Sequence, residues 1–224
     1  VRALLLTSPS NPLGTVYGAE ELEAVLDWAE ERGLHVVSDE IYALSVYGER
    51  RFTSVASLRP RLGERLHVVW AFSKDCAASG LRCGVLLTEN EGLRTAVDAL
   101  AYWSCCSGDT QHLLTQMIRD EAWVHRYLAS MQDRLRRAYR ATGAVLTAES
   151  IPFLPAEAGF FVLCDLRRFL PAPSWEEEDR LWRRLLEEAN VNLTPGSACR
   201  NREPGFLRLC FASVQPEVVE EGVR

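Results

Sequence analysis

Trp70-Ala71-Phe72-Ser73-Lys74-Asp75-Cys76-Ala77-Ala78-Ser79-Gly80-Leu81-Arg82-Cys83-Gly84 decides the reading of this chain, because it contains the only lysine among 224 residues. Every other basic residue is arginine, so positive charge alone is supplied by a group that does not give up its proton near neutral pH. A lone primary amine is therefore a candidate imine-forming nucleophile. It follows the apolar run Leu66-His67-Val68-Val69-Trp70-Ala71-Phe72, which predicts a buried strand of a parallel sheet. Open α/β sheets bind ligands just outside the carboxyl ends of their strands, and Lys74 falls there. On composition alone, a surface lysine in an arginine-biased chain fits equally.

Working toward the N-terminus, Leu34-His35-Val36-Val37-Ser38 predicts a second buried strand with Asp39-Glu40-Ile41-Tyr42 at its carboxyl end. Ala3 to Thr7 predicts a third, followed by the loop Ser8-Pro9-Ser10-Asn11-Pro12-Leu13-Gly14-Thr15. Between them Glu20 to Arg32 carries Leu22, Val25, Leu26 and Ala29 at helical spacing and stops at Gly33, a C-terminal helix signal. Strand, helix, strand at this length makes a parallel crossover, which puts Asn11, Asp39 and Lys74 on one edge of the sheet. Asp39 also suits a cap on the segment that follows it, and Asn-Pro is by itself a turn signal. Arg82, between Gly80 and Gly84, is placed to grip a phosphate with two prongs; a solvent-facing turn arginine is the competing reading.

Downstream, helical periodicity runs from about Gln111 to Ala141, with Leu113, Leu114, Met117, Ile118, Leu128 and Leu135 on it. Ala158 to Leu166 predicts a strand, Ser174 to Asn190 an amphipathic helix with Ser174 and Glu177 as a capping box, and Phe206 to Phe211 a last strand. Arg208 alternates with Leu207 and Leu209, so it points away from their face. Turned inward it calls for an anionic partner; turned outward it is a solvated strand residue.

Bulk properties exclude several classes. A net charge of −6 argues against a nucleic-acid or anionic-membrane partner. No apolar run approaches the about 20 residues of a bilayer span. Seven cysteines, odd in number and without a C-x-x-C pair, indicate thiols in a reducing compartment rather than a disulfide framework or zinc site. No glycine fingerprint of a nicotinamide-binding strand–helix turn follows any predicted strand. The chain begins at Val1 in a strand-like run and ends at Arg224 in an apparent helix, so it reads as a piece of a longer protein that lacks its N-terminal part.

These motifs together resemble fold-type I pyridoxal 5'-phosphate (PLP) enzymes of the class I aminotransferase superfamily. Within it they are most like 1-aminocyclopropane-1-carboxylate (ACC) synthases and the animal ACC synthase-like proteins. The resemblance is carried by Ser10 to Thr15, Asp39 to Tyr42, Ser73-Lys74-Asp75, Gly80 to Gly84, Thr110 to Leu114, Thr194 to Ser197 and Glu203 to Phe211. It implies an α/β large domain, with a mostly parallel sheet and helices on both faces, spanning 1–135 and including the start of a bridging helix. A small α+β C-terminal domain would then span 136–224.

The resemblance also assigns roles. Lys74 corresponds to the Schiff-base lysine and α-proton carrier, Asp39 to the partner of the pyridine nitrogen, and Asn11 and Tyr42 to the hydrogen-bonding partners of the ring's phenolic oxygen. Arg82 corresponds to the phosphate arginine and Arg208 to the clamp on the substrate α-carboxylate. Ala71 stands where the family usually has a phosphate-binding hydroxyl, a difference worth about 1 kcal/mol, and Ser73 is the neighbouring hydroxyl. The implied activity is external-aldimine formation with an α-amino acid, followed by γ-elimination from S-adenosylmethionine or by transamination, in a cytoplasmic homodimer that needs no metal. A non-catalytic binding or scaffold protein that keeps the PLP fold is the alternative.

Overall fold

The computed structural model describes residues 1–224 and divides into two units, one of Val1–Ser10 and Thr15–Gln132, the other of Asn11–Gly14 and Asp133–Arg224. In the first, strands β1 (Ala3–Thr7), β2 (His35–Asp39), β3 (Leu66–Ala71) and β4 (Gly84–Thr88) form one sheet in that order. The β1–β2 and β2–β3 pairs are parallel and β3–β4 antiparallel. Helix α1 (Ala19–Glu31) connects β1 to β2. It starts where the Gly18 N–H donates to Glu21 Oε2 at 2.8 Å. It stops in a left-handed turn at Gly33, where the Gly33 N–H reaches Glu30 O and the Leu34 N–H reaches Ala29 O, the paired bonds of a Schellman end.

Leu22, Leu26 and Ala29 of α1 pack on Val36, Leu66, Val68 and Val55 to form this unit's core. The apolar runs predict strands buried on both faces; α1 covers one. On the other, Leu5 and Val69 remain exposed, Leu5 by 68%. A one-turn helix α2 (Phe72–Asp75) follows β3, and α3 (Glu91–Ser104) and α4 (Gly108–Arg119) follow β4.

The long helix expected over 111–141 is two helices. Asp120 leaves helical geometry at φ −84° and ψ 77°, and its Oδ1 accepts the Trp123 N–H at 2.9 Å. An aspartate that caps the next helix ends the previous one, and α5 (Glu121–Ala148) begins directly after it. The boundary between the two units falls within α5.

The second unit contains β5 (Phe153–Leu154), β6 (Phe161–Asp165), α6 (Trp175–Ala189), β7 (Phe206–Cys210) and α7 (Pro216–Val223). Its sheet has the order β5-β6-β7 and is antiparallel throughout. β6 starts later than the expected Ala158 because Gly159 takes φ +83°, outside strand geometry. Ser174 Oγ accepts the Glu177 N–H at the start of α6, and Asn190 ends it in a left-handed conformation. Val162, Cys164, Leu207 and Phe211 are nearly inaccessible and form the core. Gly14 belongs here: at φ +65° its carbonyl accepts the Glu157 and Ala158 N–H groups, and a Cβ would stand 2.6 Å from Ala158 O. No helix of the chain is long and apolar enough to cross a membrane.

Candidate active site

Because β1, β2 and β3 are parallel, Thr7, Asp39 and Ala71 end on the same edge of the sheet, with Thr7 opposite Asp39 and Asp39 opposite Val69. Asp39 is half-buried, and its Oδ1 accepts the Ile41 N–H at 3.1 Å. It therefore does cap the following turn, while making no ion pair. Glu40 beside it turns inward and accepts from Ser38 Oγ and the Val55 N–H; burial pushes its carboxyl above the usual range, against those donors. The chain then turns through 41–45, with Tyr42 almost fully buried.

Lys74 lies three residues past the end of β3, half-buried, with no protein hydrogen bond or ion pair to its amine. Ser73 is half-buried beside it. The Lys74 turn is tied to the Arg82 segment through the Phe72 N–H, which donates to Cys83 O at 3.2 Å. Arg82 takes a left-handed conformation at φ +51°. One guanidinium nitrogen donates to Ser79 O at 2.8 Å, and no carboxylate pairs with it.

Asp75 is the residue that sequence reasoning passed over. It is fully buried and accepts three hydrogen bonds: from the Leu44 N–H at 3.0 Å, from Ser45 Oγ at 2.6 Å and from Trp70 Nε1 at 2.8 Å. Burial raises its carboxyl above the usual range, although these three donors and the Ser45 backbone N–H oppose the shift. The only sequence signal was an acid beside the lone lysine in an otherwise apolar stretch, which says nothing of partners 30 residues away.

The second unit holds Arg208 and Asn11. Arg208 lies on β7 with Leu207 and Leu209 buried on the opposite face. One terminal guanidinium nitrogen donates to Asn11 Oδ1 at 2.7 Å and the other to Thr194 Oγ1 at 3.1 Å. The group lies over the Phe161 ring, 5.2 Å from its centroid, and its Nε is buried without a partner. Thr194 is held in turn by two backbone bonds with Arg208.

The loop between Thr194 and β7 is anchored by Glu178, which is 1% exposed. Its two oxygens accept the Ser197 and Gly205 N–H groups at 3.0 and 2.6 Å. Gly196 permits this approach, since a Cβ there would sit 2.5 Å from Phe206 O and 3.0 Å from Glu178 Oε2. In the sequence Thr194 stands out only as the start of the Thr194 to Ser197 motif, and nothing marks Glu178 among the acids of the Ser174 to Asn190 helix.

The first unit thus offers an acid without a cation, an amine without a partner and a guanidinium without an acid, on connected backbone. The second offers a guanidinium bonded only to neutral oxygens, with one buried N–H unspent. That donor set matches the charges of pyridoxal phosphate, whose ring nitrogen seeks an acid, whose aldehyde seeks an amine and whose phosphate seeks a cation. A substrate carboxylate matches the remaining arginine.

Comparison with known proteins gives the same direction. The family described as aminotransferase class I and II matches residues 1–224. The chain is 44% identical over 216 residues to human 1-aminocyclopropane-1-carboxylate synthase-like protein 1, covering 95% of this chain and 43% of that protein. It is 37% identical over 218 residues to rice (Oryza sativa subsp. japonica) 1-aminocyclopropane-1-carboxylate synthase 6, covering 96% and 40%. Among solved structures, the aromatic aminotransferase of Pyrococcus horikoshii superposes with a TM-score of 0.88 at 27% identity, over 99% of this chain and 58% of that one. A double mutant of Thermus thermophilus aspartate aminotransferase gives 0.87 at 27%, over 99% and 55%. The chain spans less than half the length of these two sequence relatives. It belongs to the class I and II aminotransferase family, with the fold-type I architecture and pyridoxal 5'-phosphate as the cofactor that membership implies.

Proposed function

We propose that this protein is a pyridoxal phosphate enzyme acting on an α-amino acid, with Lys74 as both the attachment point of the cofactor and the carrier of the α-proton. The observation that carries the reading is Lys74 itself: the one amine of the chain, unpartnered, at the carboxyl edge of a parallel sheet in a member of this family. When bound, pyridoxal phosphate supplies an electron sink for the pair released as a bond to the substrate α-carbon breaks. Asp39 then holds a proton on the ring nitrogen by opposite charge, and its oxygen not used by Ile41 is available for that. Arg82 grips the phosphate, with Ser73 as the nearby hydroxyl in place of the one Ala71 lacks. Tyr42 and Asn11 hydrogen-bond the ring's phenolic oxygen, and Arg208 binds the substrate α-carboxylate through N–H groups left after Asn11 and Thr194.

The homodimer of the family, with both subunits contributing to each site, extends to this protein as part of the same proposal. All seven cysteines are unpaired thiols, which fits the reducing cytoplasm. For the reaction, the likeness to ACC synthases favours γ-elimination from S-adenosylmethionine over amino-group transfer.

The test is borohydride reduction of the full-length protein after exposure to pyridoxal phosphate, followed by peptide mapping. The expected result is one adduct, at Lys74, absent from Lys74→Ala. No adduct at Lys74 in the wild type overturns the reading in favour of a non-catalytic scaffold. A product assay with S-adenosylmethionine alone, then with an amino acid and a keto acid, separates elimination from transfer.

A further inference from the structure

We infer that Asp75 is a positioning residue: its carboxylate fastens the turn that carries Tyr42 to the turn that carries Lys74, so that the two side chains keep a fixed relation. This rests on the proposed role of Lys74.

The Lys74 turn has little to hold it by itself. Helix α2 is four residues long, too short to be stable without tertiary support, and the lysine side chain is not tethered. The Tyr42 turn closes through Ala43 N–H to Glu40 O and Ser45 N–H to Tyr42 O, and Gln132 Nε2 donates to Leu44 O at 2.9 Å. Between the two turns, Asp75 Oδ2 takes the Leu44 N–H and Oδ1 takes the Ser45 hydroxyl. A third bond, from Trp70 Nε1 to Oδ2, adds the end of β3; the Trp70 ring stands edge-on to Phe72, 4.8 Å between centroids. One side chain thus joins a strand end and two turns.

The choice of an acid here is energetically unfavourable for stability alone. A buried carboxylate without a cation is costly, and at Asp75 burial outweighs the surrounding donors and pushes the carboxyl above its usual range. Its charge is felt nearby: the Cys76 thiol is raised first by burial and then by Asp75. A group so placed, adjacent in sequence to the one amine, is explained by what it holds in place.

An amide can do the same work. In Asp75→Asn the carbonyl oxygen occupies the Oδ2 position and keeps Leu44 and Trp70, while the NH2 faces Ser45 Oγ, which rotates to accept instead of donate. Asp75→Ala has neither contact.

The experiment uses the full-length protein with two readouts: amide hydrogen exchange at Leu44 without cofactor, and the rate at which borohydride fixes pyridoxal phosphate on Lys74. Asp75→Ala is expected to speed Leu44 exchange and slow fixation, each about tenfold, the scale of one buried hydrogen bond lost. Exchange in β1 and β2 stays as in the wild type, and Asp75→Asn recovers both readouts to within about threefold. Wild-type fixation in Asp75→Ala overturns the inference. So does Asp75→Asn that regains Leu44 protection without regaining fixation, since charge rather than position would then be at work.

If Asp75→Ala does not fold, Ser45→Ala and Trp70→Phe each remove one donor; slowed fixation in both supports the inference and unchanged fixation in both overturns it. If the wild type fixes no cofactor at all, the proposed function fails separately. The anchor is then judged on Leu44 exchange alone, by acceleration or its absence in Asp75→Ala.

Discussion

Two buried carboxylates, one in each unit, hold the loops that present the candidate site residues, and they differ in what they hold. Asp75 takes a backbone N–H, an indole N–H and a hydroxyl. Glu178 takes two backbone N–H groups, one on each oxygen. A hydroxyl can reverse its bond and a backbone N–H cannot. The Asp75 anchor therefore tolerates an amide in place of the acid, whereas the Glu178 anchor requires both oxygens. Similar burial and similar chemistry thus give one anchor that depends on position and another that depends on the carboxylate itself.

The largest effect expected from this contrast falls on the residue that the Glu178 loop serves. If that loop is held by Glu178, Arg208 is free to bind substrate rather than support the fold. Arg208→Ala should then lower kcat/KM for the amino acid by about 10²–10³-fold, the loss of a charge-assisted carboxylate clamp. Thermal unfolding should move little, because the residue removed already has an unpaired buried N–H. A large loss of stability with kcat/KM intact would make Arg208 a structural strut and break the comparison.

A smaller effect separates the two anchors directly. Glu178→Gln leaves either the Ser197 or the Gly205 N–H facing an NH2 group, which should cost about 1–3 kcal/mol in denaturant unfolding. Gly196 and Gly205 make relaxation difficult, since side-chain or backbone atoms already crowd both positions. Asp75→Asn should lose less than half of that at the same pH. Equal losses from the two amides would mean that the Ser45 hydroxyl does not reverse.

The same contrast marks what was readable in the sequence. Strand ends were readable, because β-branched apolar runs stop abruptly at Asp39 and before Ser73, and parallel pairing then puts both on one edge. The Ser174 cap and the Gly33 stop were readable because capping is local. The break at Asp120 was missed, although it uses the same local chemistry, because continuous apolar spacing on both sides outweighed a single aspartate. The anchors were unreadable for a different reason. Asp75 reaches back 30 and 31 residues to Ser45 and Leu44, and Glu178 reaches forward 27 to Gly205, separations for which hydrophobic periodicity carries no signal. Likewise, nothing in Asn11 to Gly14 announces that these four residues cluster with a unit that resumes at Asp133.

The smallest effect concerns pH, and its sign tests whether Asp75 is held in spite of its charge. Burial raises its folded-state pKa above the ordinary aspartate value of about 4. Between those two values the folded protein keeps a proton that the unfolded chain has released. Stability from this group is then complete below about pH 4 and is lost as pH rises through the folded value. Asp75→Asn has no such proton to lose, so its stability relative to the wild type should rise across that window and then level off. Urea unfolding of both proteins at steps from pH 4 to 7 measures the difference. A difference that falls instead would mean that the Leu44, Ser45 and Trp70 donors outweigh burial. The carboxylate would then stabilise the fold by its charge, and Asp75 would join Glu178 as an anchor that an amide cannot replace.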